Sequence, residues 1–397
     1  MISRALKDRG TNDSIRYDSS SQPREALEIC ALDPLGADEA VRKLPAANAI
    51  ADVPGIVNLL RPLIPSLFQV HSFNTPESIA AMRDLGIFLG SVKRHGVEPV
   101  AVLPELEPVL FALAEKVDMP PRDTVIHYTI WNPDGQRRRH YTAHDAELHL
   151  VSGTKMSLYR VENAIRLLVD WHEIPMTSNE FPPAADAIEN ELHGLVDNVL
   201  YAMRHVPRKV FAEELRFYFD PVVVGGKPYL GPGAVEVPTF VADHLLWTSQ
   251  VSEPEYVDFK RTYVPYQRPW IRNVFHAFDG RPSLLDKAKQ AMAAEASPQV
   301  LDSAIAILKI MSMLVKFRVP HKRLADEAYS HSSTLVPGRS HGSGGYTTEI
   351  LDYINSMTIQ VRNEWRDEIR ARLRSIPPAH ARRLLRDELD DEPQPLL

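Results

Sequence analysis

Proline divides this chain into short lengths, and nearly every length between prolines carries a helical period. There are 32 prolines and 18 glycines among 397 residues, so proline is about 8% of the chain where about 5% is ordinary. Proline breaks a helix from within but is favoured in its first turn, where the missing N–H costs nothing. A chain punctuated in this way, with apolar residues at i, i+3 and i+4, is expected to be mainly α.

Pro54 opens an apolar segment through Leu60 that Pro62 and Pro65 close. Thr75-Pro76-Glu77 reads as a helix start with Thr75 as N-cap, and Gly96 as its stop. Leu103–Val117 predicts a further helix, whereas 124–131 (TVIHYTIW) reads as a short extended piece before the Asn132-Pro133-Asp134-Gly135 turn. Helices are then expected over Lys155–Trp171, Ala184–Arg204, Val210–Tyr218, Tyr256–Phe278, Pro298 to about Tyr329, and Thr347–Ile376. Gly225-Gly226 opens a loop, and Tyr229-Leu-Gly-Pro-Gly-Ala-Val-Glu236 turns into an apolar helix that carries His244 and Trp247. No G-x-G-x-x-G follows a strand and no Walker A loop occurs.

The remaining exclusions are compositional. Cys30 is the single cysteine, so an intrachain disulfide, a Cys₄ zinc site and a C-x-x-C-H haem attachment are ruled out. That fits a reducing, cytoplasmic setting. The net charge of −7 gives no reason to expect nucleic acid. No apolar run suggests a signal peptide or a membrane span. The polar residues 1–24 read as a disordered leader and 379–397 as a charged tail. Between them lie a mostly helical region, 25–152, and a helical domain, 153–378.

Chemistry is best placed in 301–346. Asp302, Lys309, Lys316 and Arg323 recur every seven residues as a solvated stripe. Ile310, Leu314, Phe317, His321 and Ala328 fall on the opposite, apolar face. Pro320 removes the N–H that the Lys316 carbonyl would accept from. His321 has two readings: a core histidine satisfied by its neighbours, which is the commoner case, or an axial haem ligand with Arg318 reaching a propionate. Gly342-Ser343-Gly344-Gly345 precedes the last helix and is either a linker or a close-approach loop for a carboxylate. His140, His144 and His149, with Asp145 and Glu147, have metal-like spacing, but Arg137–Arg139 beside them oppose a cation.

Seven stretches together resemble the monodechloroaminopyrrolnitrin synthase family. They are DVPGIVNLLR (52–61), AAMRDLGIFLGSVKRHG (80–96), LEPVL (106–110), YLGPGAVEVP (229–238), HLLWTSQ (244–250), FRVPHKRLADEAY (317–329) and GSGGY (342–346). The resemblance runs from about residue 30 to 365. It implies an indoleamine 2,3-dioxygenase-like helical haem fold, with 153–378 as the haem-binding domain. It also implies haem b ligated by His321, and Tyr329 and Ser343 as catalytic residues near haem and substrate. Arg318, Gly342 and Gly344 would meet the cofactor, and Trp247 and Gly345 the substrate.

The reaction implied is oxidative rearrangement of 7-chloro-L-tryptophan to monodechloroaminopyrrolnitrin, with O₂ or peroxide as oxidant and an electron donor as a further partner. Related haem enzymes hydroxylate or dioxygenate unhalogenated aromatic amino acids, and a haem carrier or a helical interaction protein is the non-enzymatic alternative. Some relatives attach haem through a cysteine four residues after the ligand, where this chain has Ala325. The 330–341 loop is a few residues longer than in the synthase.

Overall fold

The computed structural model describes residues 22–233, 237–295, 297–335 and 348–374. The expected tail, 379–397, and nearly all of the expected leader lie outside them. Among the described residues the fold is mainly helical, and its strands form one antiparallel hairpin, Val222–Val224 with Lys227–Tyr229. Gly225 and Gly226, at φ of 58° and 74°, make its turn, where two consecutive positive φ angles favour glycine. The sequence suggests only a loop there; strands this short leave too little alternation to read.

Proline stands in the first turn of Val53–Leu60, Thr75–Arg94, Phe181–His205, Pro254–Tyr263 and Pro269–Phe278. Several boundaries differ from the sequence expectation. Asn74, not Thr75, is the N-cap: its side chain accepts from the Glu77 N–H at 2.9 Å, and Glu77 accepts from the Asn74 N–H at 2.8 Å. The expected 256–278 helix is broken by a 3₁₀ turn at Val264–Tyr266, where Pro265 cannot continue the ladder. The 124–131 piece is a helical turn, Val125–Tyr128, rather than a strand. Every residue in it is buried, so its apolar run carries no period to tell the two apart.

Two bodies of apolar side chains result. In the N-terminal part, Thr75–Arg94 is buried on all sides from Ser78 to Val92, so the charges it carries there, Arg83 and Asp84, have to be paired. Gly90 lets it approach its neighbours: a Cβ there would lie 2.6 Å from the Tyr141 hydroxyl and 2.7 Å from the Tyr218 carbonyl. The buried Asp84 carboxylate accepts from Arg83 Nε and Arg139 Nε, each at 2.7 Å. In the C-terminal part Asp145–Trp171, Phe181–His205, Pro298–Leu335 and Thr348–Leu373 pack in successive pairs.

The Asp145–Trp171 helix belongs to both bodies. Val151 and Leu158 pack with the N-terminal clusters, and Val161 through Val169 with the C-terminal one. The division between 152 and 153 therefore falls inside one continuous helix. Among the described residues no helix is long and apolar enough to cross a membrane.

Candidate functional site

His321 lies in the second half of the Pro298–Leu335 helix, which runs on through Pro320. Its ring stacks on Phe317, one turn earlier, with centroids 5.3 Å apart and planes at 27°. Burial, with the positive charge of Arg318 as the second cause, pushes its pKa down to about 4. The imidazole is therefore uncharged at neutral pH. Among the described residues no hydrogen bond engages either ring nitrogen. An uncharged imidazole free at nitrogen is a competent ligand for iron or another transition metal.

Arg318, one turn before His321, is buried. Its guanidinium donates to the Asp243 carboxylate and, at 2.5 Å, to Thr358 Oγ1. Both partners come from other elements, so this one side chain ties three parts of the chain together. The cofactor contact expected of Arg318 has to share the guanidinium with these bonds.

Asp243 ends the short Thr239–Asp243 helix, and the chain continues as a π-helical turn, His244–Thr248. Such turns are uncommon and cluster at functional sites. This one is held from several sides. Trp247 Nε1–H donates to Asp243 Oδ1 at 3.0 Å, the His172 ring meets the Leu245 carbonyl at 2.9 Å, and Lys260 Nζ donates to the Thr248 carbonyl at 3.1 Å. The His244 ring stacks on Phe275 at 4.1 Å. Trp247 is thus a buried side chain whose N–H is already spent on Asp243. Arg318 and Trp247 are brought together through Asp243, a residue that sequence reasoning does not single out; His321 follows Arg318 on its helix. The one signal of Asp243 is a carboxylate inside a largely apolar stretch, TFVADHLLW.

Tyr329 stands two turns after His321 on the same helix, described by its backbone alone. Gly342, Ser343, Gly344 and Gly345 lie outside the described residues, as do 336–341; residues 330–335, expected as loop, continue the helix to Leu335.

The histidines with metal-like spacing are engaged separately. His144 meets Glu214 at 2.9 Å, His140 Nδ1 the Thr142 carbonyl at 2.6 Å, and His149 the Tyr201 hydroxyl at 2.6 Å. Glu147, between them in sequence, is buried and structural. It accepts from the Tyr128 hydroxyl, the Tyr141 and Thr142 N–H groups and the Thr142 hydroxyl, each at 2.7 Å.

A comparison with known families adds one finding. A family model described as monodechloroaminopyrrolnitrin synthase PrnB matches residues 32–384. The match takes in the helix of His321, the π-turn and both bodies of the fold.

Proposed function

The chain belongs to the monodechloroaminopyrrolnitrin synthase family of pyrrolnitrin biosynthesis, and from that premise we propose that it is a haem b-dependent enzyme. It would carry out the oxidative rearrangement of a tryptophan derivative, 7-chloro-L-tryptophan to monodechloroaminopyrrolnitrin. The observation that carries the haem reading is His321: an uncharged imidazole, stacked on Phe317 and free at both ring nitrogens among the described residues. The residues present fit the group.

Haem held through His321 would supply activation of O₂ or peroxide to the oxidation. The protein's own contribution is position. Phe317 sets the plane of the imidazole, and the Arg318–Asp243 pair fixes the helix beneath it against the π-turn. A charged Arg318 one turn away also keeps the His321 proton off. The same carboxylate holds the Trp247 N–H, which fixes the tilt of that indole. Tyr329 and the Gly342–Gly345 loop with Ser343 are assigned to the amino-acid head group or a haem propionate, a role that rests on the family resemblance.

The protein loaded with haem should show a Soret band, and His321→Ala should lose it together with stoichiometric haem. Unchanged haem content in that variant overturns the ligand assignment. Soret shifts on adding 7-chloro-L-tryptophan, L-tryptophan and L-tyrosine in turn would rank the substrates, and a shift with tyrosine alone overturns the tryptophan reading.

A further inference from the structure

The Val125–Tyr128 turn and the residues after it contain two buried N–H groups that the function described so far does not use. His127 and Trp131 are 1% and 2% exposed. Their rings meet edge to face, with centroids 4.8 Å apart and planes at 76°. The Thr124 backbone N–H donates to His127 Nδ1 at 3.1 Å. A nitrogen that accepts carries no proton. Burial, with the charge of Arg83 as the second cause, holds the His127 pKa down at about 3, so the ring is neutral. Its single proton is therefore on Nε2. Neither His127 Nε2 nor Trp131 Nε1 has a hydrogen-bond partner among the described residues.

Each unmade bond of this kind is a cost to folding, and two adjacent ones do not arise from slack packing here. The segment is pinned. Arg83 donates to the Trp131 carbonyl at 3.1 Å, and Asn132 Nδ2 to the carbonyls of Tyr128 and Arg139 at 2.9 and 2.8 Å. The backbone that carries the rings is fixed, and both rings are buried.

The cations nearby are already paired, so what the place offers a ligand is the two neutral donors themselves. The Arg268 guanidinium lies 5.6 Å from the centre of the Trp131 ring. It is balanced by Glu162 and Glu25, as Arg83 is by Asp84. Val237 packs against the cluster of Trp131 and also against the C-terminal core. That places the two donors near the seam between the two bodies.

We propose that His127 Nε2–H and Trp131 Nε1–H together seat a carboxylate, that of the aromatic amino-acid substrate. The two oxygens of one carboxylate can serve two donors at once, and neutral donors bind it without a counter-charge that would have to be desolvated. The assignment rests on the reading of the substrate as an amino acid. A haem propionate offers the same chemistry, and the test separates the two.

The full-length protein, labelled with ¹⁵N at the indoles, carries five tryptophans, and Trp131→Phe identifies the Trp131 signal. On adding L-tryptophan to the haem-free and haem-loaded protein, the Trp131 indole proton should move downfield as its bond forms. Tryptamine, which lacks the carboxylate, should leave it in place. His127→Phe and Trp131→Phe should each weaken L-tryptophan binding about tenfold by calorimetry, the effect of losing about 1.4 kcal/mol, with tryptamine unaffected. L-Tryptophan that binds without moving the Trp131 signal overturns the seat alone. Movement with haem and not with L-tryptophan overturns the substrate assignment in favour of a propionate. Absence of L-tryptophan binding altogether fails the amino-acid reading itself, whereas a missing Soret band fails only the haem reading. The titration of the unsubstituted protein needs no variant to fold.

Discussion

Arg318 and Asp243 form a buried ion pair across 75 residues of sequence, and through it the helix of His321 is fastened to the π-turn of Trp247. The pair is out of water on both sides, so removing either partner strands a charge. Such breaks cost about 3–5 kcal/mol, whereas replacing both partners costs far less. Arg318→Met is expected to fall in that range, and Arg318→Met with Asp243→Asn to recover much of it. The amide oxygen that Asp243→Asn leaves in place would still accept from the Trp247 N–H. Urea unfolding of the two single variants and the double variant measures the coupling; additive losses would show that the pair is not a unit.

Three buried histidines make stability depend on pH. His127, His172 and His244 are each pushed down to about 3, first by burial and then by Arg83, Lys287 and Lys260 respectively. Their unfolded pKa is about 6.5. Between those values the unfolded chain binds protons that the folded chain refuses. The stability they contribute is therefore complete above about pH 6.5 and is lost as the pH falls. Each should add about 1.4 kcal/mol per pH unit to the slope of unfolding free energy between pH 6 and 4. His172→Gln keeps a donor for the Leu245 carbonyl and should reduce the slope by one proton's worth, read from urea unfolding at a series of pH values.

Gly90 and Gly153 should respond oppositely to alanine. At Gly90 the added carbon meets the Tyr218 backbone carbonyl at 2.7 Å and the Tyr141 hydroxyl at 2.6 Å, which cannot move without shifting the core. Gly90→Ala is expected to cost about 1–3 kcal/mol, as overpacking does. At Gly153 the obstacle is the end of the Asn198 side chain, which can rotate, and alanine gains up to about 1 kcal/mol of helix propensity. Thermal unfolding of both variants checks the contrast.

Glu147→Gln tests a carboxylate that holds a loop rather than a metal. All four groups around it are donors, and the amide of Gln would turn two more hydrogens toward them. A loss of about 2–3 kcal/mol is expected, with haem content unchanged when measured by absorbance. Loss of haem at full stability would move Glu147 into the functional site.

The helical class and most helix positions are legible because proline marks their first turns and an apolar stripe marks their faces. His321 is legible for the same reason: its place on the Phe317 face is a matter of spacing. Asp243 is not, because its role is created by a partner 75 positions away and by a π-turn that has no sequence signature. The 124–131 turn reads wrongly as extended because a fully buried segment shows no period, and its β-branched residues favour the wrong answer. The same burial hides His127, whose tautomer is set by a backbone N–H that no side-chain pattern announces.

The Asp145–Trp171 helix gives this architecture an unusual seam. Its first half faces one body and its second half the other, so the border between them is crossed by an unbroken ladder of backbone bonds. A cut near residue 152 would leave either fragment with a bare apolar flank and half a helix. The two halves are bound to melt as a single cooperative unit, and motion between them has to bend a rod rather than swing a joint.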